Sequence, residues 1–125
     1  MRPKRISRSE LQLLERLWEL GPSSVRAVQE ALPERDRPAY TTVQTMIYRL
    51  ERKGAVRRIK KIGNAHIFEA TLTRTSVHRR LVTDLLEIFG GSPASVMSHF
   101  VETGKLTLSD IRAIEKEVAK RDRKT

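Results

Sequence analysis

The sequence predicts a mainly α fold with one small β-hairpin, and three observations carry that expectation. Apolar residues recur at helical spacing along most of the 125-residue chain, and Gly and Pro punctuate the ends of these runs. Between residues 55 and 70 the pattern changes to β-prone residues around a Gly63-Asn64 turn signal.

The first helix starts at Ser7-Arg8-Ser9-Glu10, which has the form of a capping box: Ser and Glu each satisfy an orphan backbone N–H. Leu11, Leu14, Leu17 and Trp18 make its apolar stripe, with Trp18 read as core, and Gly21-Pro22 stops it with a left-handed glycine. Ser23-Ser24 offers the next N-cap, and Val25, Val28, Ala31 and Leu32 form a short second stripe ending at Pro33. Residues 33–38 read as a loop. A third helix runs from Tyr40-Thr41-Thr42 to Lys53, with Gly54 as its C-cap and one of the two threonines as its N-cap. Val43, Met46, Ile47 and Leu50 share one face; at about 100° per residue, Thr41, Thr45, Tyr48 and Arg52 share the opposite one, flanked by Gln44 and Arg49.

The hairpin follows directly. Val56, Ile59, Ile62, Ile67 and Phe68 are its apolar positions, and the spacing of three between the first three calls for a β-bulge. Its approach and tip carry Arg57, Arg58, Lys60, Lys61, Asn64 and His66. Three helices ending in a basic hairpin are a winged helix-turn-helix in outline, assigned to residues 1–71.

Residues 72–125 read as three more helices. Val77, Leu81, Leu85 and Ile88 line one side of the first, with Val82, Leu86 and Phe89 beside them, an apolar arc of roughly 180° where one buried face needs about 100°. Ser92-Pro93 restarts the chain as N-cap and first helical residue, and Val96, Met97, Phe100 and Val101 form the next stripe. Ser109 is read as the cap of a last helix with Ile111, Ile114 and Val118 inward, ending in the charged tail from Lys120. Three helices this short rarely close a core alone. Their excess apolar surface predicts a two-fold dimer, with an interface built from Leu81, Leu85, Leu86, Phe89, Val96, Phe100, Ile111, Ile114 and Val118.

Net charge is +10, and it is uneven: residues 1–70 hold 15 Lys/Arg against 8 Asp/Glu, a net +7, and residues 71–125 hold 10 against 7, a net +3. Such a bias points to a polyanionic partner for the N-terminal half. The third helix presents hydroxyls, an amide, a phenol and guanidinium groups, the inventory that reads base edges and phosphates of double-stranded DNA. Thr41, Thr42, Gln44 and Thr45 lie at the end of the helix that usually touches bases, and Gln44 suits adenine. Arg49 has two readings, DNA or an ion pair with Glu15 or Glu19; Arg52 and Lys53 are phosphate contacts or charges that favour the helix C-terminus. Arg57, Arg58, Lys60 and Lys61 are read as phosphate-binding.

No run of about 18 apolar residues exists and the N-terminus lacks a signal-peptide pattern, so a cytoplasmic protein without a membrane span is expected. The chain has no Cys, which excludes disulfides, thiolate metal sites and cysteine nucleophiles. His66, His78 and His99 share no ligand spacing, so no metal or cofactor is assigned, and no catalytic residue either: phosphate-cradling glycine loops and paired catalytic carboxylates are missing from the sequence.

The block Ala39-Tyr40-Thr41-Thr42-Val43-Gln44-Thr45-Met46-Ile47-Tyr48-Arg49-Leu50-Glu51-Arg52-Lys53-Gly54 resembles the recognition helix of the penicillinase-repressor family, which includes methicillin-resistance and copper-responsive repressors. Ser9-Glu10-Leu11 with Leu17-Trp18, the segment from Gly63 to Phe68, and Leu106-Thr107-Leu108-Ser109 match it in order. The resemblance implies a homodimeric transcriptional repressor on a palindromic operator. It departs from the family in two places. Copper-responsive members carry a C-terminal cysteine motif that is missing here, which rules out thiolate copper sensing. Members controlling β-lactamase genes are cut by a membrane sensor protease at an Asn-Phe bond in the dimerisation helices; here His99-Phe100 stands in its place, which argues against the same cut. Two alternatives remain open at the level of sequence: a basic RNA- or ribosome-binding protein, which would want more exposed aromatics than Tyr48 alone, and a winged-helix protein-interaction adaptor.

Overall fold

A computed structural model describes residues 5–123; the first residues of the basic N-terminus and the last two of the charged tail lie outside the described residues. Six helices and three short strands follow in the order α1 (Arg8–Leu20), β1 (Ser23–Ser24), α2 (Val25–Ala31), α3 (Tyr40–Arg52), β2 (Val56–Ile62), β3 (Ala65–Ala70), α4 (Arg74–Ile88), α5 (Pro93–Glu102) and α6 (Leu108–Arg123). The fold is mainly helical with a small antiparallel sheet, a winged-helix arrangement followed by C-terminal helices. The chain forms two compact units, one ending at His78 and one starting at Arg79, so that α4 begins in the first and ends in the second.

In the first unit α1 starts as its sequence requires: Ser7 is the N-cap, its hydroxyl accepts from the Glu10 N–H, and the Glu10 carboxylate accepts from the Ser7 N–H. The inward face is rotated from the expected stripe. Leu13, Leu14 and Leu17 are buried while Leu11 and Trp18 are half-buried. The reason is Glu10, a buried charge that shares the inward row 10-13-14-17 and pairs with Lys53 Nζ at 2.6 Å. A carboxylate at that position would not be counted as inward from sequence, so the stripe was displaced by one residue. Trp18 sits at the margin because its indole N–H needs an acceptor: it donates to the Leu72 carbonyl at 2.9 Å, and His78 meets the ring edge-on.

Ser24 caps α2 by accepting from the Ala27 N–H, and with Ser23 it also forms the unforeseen strand β1. Gly21 has a positive φ of 78°, but its ψ of −163° lies outside the left-handed helical region. Val25 and Val28 of α2, Leu32 at its C-cap, and Val43, Ile47 and Leu50 of α3 are buried in the core, and the two helices are in contact. Neither Thr41 nor Thr42 caps α3: Ala39 holds the N-cap position with no side-chain bond, because the chain leaves Pro38 extended and the first helical hydrogen bond, Val43 N–H to Ala39 O, closes two residues earlier than expected. At the other end Gly54 adopts φ 78°, and the Ala55 and Gly54 N–H groups bond the Leu50 and Glu51 carbonyls, a Schellman ending that turns the chain directly into β2.

The sheet order is β1-β3-β2, all antiparallel. Ile62 faces Ala65 across a two-residue turn in which Gly63 has φ 59°, a conformation that glycine adopts without steric cost. Arg58 faces Phe68 and Lys60 faces Ile67, so Ile59 is the extra residue of the bulge that the spacing of three anticipated.

In the second unit Ser92 and Pro93 open α5 as expected, the Ser92 hydroxyl accepting from the Ser95 N–H. The cap of α6 is Thr107, not Ser109. Thr107 and Asp110 bond each other reciprocally, and those hydrogen bonds, backbone first, hold the Asp110 carboxyl below its ordinary pKa. Thr107 takes the role because a reciprocal cap needs an acidic partner three residues on, which Ser109 lacks: residue 112 is Arg. Val96 is buried within this unit, whereas Ile111, Ile114 and Val118 are exposed rather than inward, at 40%, 44% and 52%. No residue of α6 is buried among those described.

Candidate nucleic-acid interface

The helix α3 is fixed from behind by its apolar face and leaves its polar face outward. Thr41, Thr42, Thr45, Arg49 and Arg52 are exposed, and the first two line a shallow depression of about 380 Å³ with Thr45, Met46 and Arg49. The Thr45 hydroxyl donates to the Thr41 carbonyl at 2.9 Å. Glu19, one of the two carboxylates considered for Arg49, pairs instead with Arg16 at 3.0 Å. Lys53 is structural: it bonds Glu10 and also the Arg5 carbonyl, at 2.8 Å. Burial would raise the Glu10 carboxyl, but the hydrogen bonds from Lys53 and Ser7 and the charge of Lys53 outweigh it and hold its pKa below the ordinary value.

Beside α3 lies a cleft of about 550 Å³ between α2, α3 and the hairpin, lined among others by Arg26, Tyr40, Gln44, Tyr48, Asn64 and His66. Tyr48 is half-buried, not exposed. Its ring leans on Phe68 at 6.2 Å, because the bulged hairpin folds back over this part of the helix. Arg26 and Tyr40 were not anticipated; the guanidinium of Arg26 sits 4.8 Å over the Tyr40 ring, and the only signal in sequence was a basic residue just after the Ser24 cap.

The basic residues of the hairpin divide into two kinds. Arg57 pairs with Glu69, its register partner on β3, and Arg58 donates to Glu51 of α3 at 2.8 Å, which holds its guanidinium pKa above the ordinary value. The side chains of Lys60, Lys61 and Asn64 at the tip are exposed and make no hydrogen bond or ion pair among the described residues. Half of the basic run is therefore spent on holding the wing to itself and to α3, and the tip is left available to an anion.

The penicillinase repressor family matches residues 6–120 of the chain. The transcriptional regulators BlaI of two strains of Mycobacterium tuberculosis are each 35% identical to it over 101 residues, covering 78% of this chain and 72% of theirs. The chain belongs to the penicillinase repressor family. A penicillinase repressor is a DNA-binding regulator of transcription and not an enzyme, which decides against the RNA-binding and adaptor alternatives. Among the described residues of the first unit, the polar face of α3 and the wing tip carry exposed hydroxyl, amide, guanidinium and ammonium groups.

The matched span continues through the C-terminal helices of the repressor. There Leu81, Leu85, Leu86, Phe89 and Phe100 are half-buried, and Val96 is wholly inside its own unit. Met97, Val101, Leu106, Ile111 and Ile114 line an open apolar groove of about 490 Å³. His99 is exposed and packs edge-on against Phe89 at 5.1 Å. No group of three or more His, Asp or Glu side chains is placed to hold a metal, and no helix is long and apolar enough to cross a membrane, among the described residues.

Proposed function

We propose that this repressor acts in the cytoplasm as a homodimer on a palindromic operator, each protomer placing α3 in the major groove and its wing along the phosphates. The observation that carries this reading is the outward face of α3, where Thr41, Thr42, Thr45, Arg49 and Arg52 stand exposed beside a wing tip with free Lys60 and Lys61. In it, Gln44 and the threonines meet base edges, with Tyr48 beside them at the helix–wing junction, while Arg49, Arg52, Lys60, Lys61 and Asn64 contact the backbone. Arg57 and Arg58 act chiefly by holding the wing in place. The apolar stripe Ile111, Ile114 and Val118, with Leu81, Leu85, Leu86, Phe89 and Phe100 partly open and Val96 packed beneath, is the surface that a second copy would cover. His99-Phe100 argues that release from DNA does not use an Asn-Phe cut.

The test is fluorescence anisotropy against duplexes selected from a randomised library, at two salt concentrations. Wild type should favour palindromic duplexes and weaken with salt. Lys60→Ala combined with Lys61→Ala removes two lysines from each protomer, so it should weaken binding to all duplexes alike and flatten the salt slope of the dimer by about 4. Selection of no sequence in preference to others, or an unchanged salt slope, would overturn the assignment.

A further inference from the structure

Five side chains connect the wing to α3. Gln44 Nε2 donates to Tyr48 Oη at 3.2 Å, one helical turn along. Arg58 of β2 lies with its Cζ 4.9 Å over the Tyr48 ring and 5.4 Å over that of Phe68, and its Nε donates to Glu51 Oε2. Phe68 itself is buried, so the stack rests on the core. Tyr48 is thereby held on one side by the wing and on the other by its own helix.

A glutamine reads adenine by presenting both amide groups at once, the carbonyl to N6 and an N–H to N7. An unrestrained glutamine has several flexible torsions and can offer either end, which costs entropy on binding and blurs the preference. Once Tyr48 holds one N–H of Gln44, the second N–H and the carbonyl remain for a base in a fixed orientation. We propose that Tyr48 and Arg58 are positioning residues for Gln44, so that the wing sets which base α3 prefers without touching that base. The proposal rests on Gln44 meeting a base as described above.

The experiment measures affinities for the best duplex from the randomised library and for each of its single-base-pair variants. It compares wild type, Gln44→Ala, Tyr48→Phe, Arg58→Met and the Gln44→Ala/Tyr48→Phe double variant. Tyr48→Phe keeps the ring for Phe68 and Arg58 and deletes only the hydroxyl. Gln44→Ala should lose roughly tenfold in discrimination at one base pair of each half-site. Tyr48→Phe should lose about threefold at that same base pair, and Arg58→Met should lose discrimination there too. The double variant should match Gln44→Ala alone. Losses that multiply in the double variant, a loss at another base pair, or a wild-type profile in Tyr48→Phe would overturn the relay while leaving base reading by Gln44 intact. An unchanged profile in Gln44→Ala would instead overturn the reading by Gln44, and the relay with it.

Discussion

The two units of this repressor bury their apolar stripes to very different extents. Every buried hydrophobic residue except Val96 lies at or before Val77, in the unit that carries α3 and the wing. The last helix, whose Ile111, Ile114 and Val118 also recur at helical spacing, buries nothing among its described residues. Helical periodicity thus identifies which residues want to leave water, and says nothing of whether their own chain or another copy removes them. In the first unit, helices from three directions and a sheet converge on one core. In the second, Val96 is the one buried hydrophobic residue among those described, and no strand of the sheet contributes to it.

Four substitutions would break or sharpen this contrast. The largest effect belongs to Phe68→Ala, which empties a position 1% exposed behind the wing and should cost about 3–5 kcal/mol in denaturant unfolding. A cost below about 1 kcal/mol would mean that the first unit is not the tightly packed one.

Next comes the ion pair that closes α1 onto the end of α3. Lys53→Met leaves the buried Glu10 carboxylate without its cation and should cost about 3 kcal/mol. The folded carboxyl ionises at lower pH than the unfolded one. Glu10 therefore contributes stability above the ordinary value of 4.5, and that contribution is lost as pH falls through the depressed folded value. Thermal melts from neutral pH downward should show a shallower acid-side loss in Glu10→Gln than in wild type; equal slopes would remove the assigned cause.

The smallest effect on the protomer should come from Ile114→Asp, within about 0.5 kcal/mol, because the side chain is already 44% exposed. Its consequence should appear in sedimentation instead, as a fall from dimer to monomer mass. An unchanged mass would place the partner surface elsewhere on the C-terminal helices.

Several local features were legible because the interacting groups lie within a few residues. The Ser7–Glu10 box, the Ser24 and Ser92 caps, the Gly54 ending, the Gly63-Asn64 turn and the bulge at Ile59 all depend on short-range bonds that particular residue types make or forbid. The cap of α6 is legible in the same way, since Thr107 with Asp110 satisfies the same pattern as Ser7 with Glu10, which Ser109 does not. The threonines of α3 failed for the opposite reason: they have the right chemistry for a cap, but the chain had already entered the helix at Ala39.

On the candidate interface, the sequence placed Thr41, Thr42, Thr45, Arg49 and Arg52 on one outward face because a 3.6-residue period fixes angular position around a helix. It also marked the basic hairpin as the wing. The tertiary structure alone decided which cations stay free. Arg57 meets Glu69 through strand register, Arg58 meets Glu51 and Tyr48 because the bulged hairpin folds back on α3, and Lys53 meets Glu10 from 43 residues away. A charge in a sequence has no partner until the chain closes, since pairing depends on distances of a few ångströms that spacing along the chain does not set.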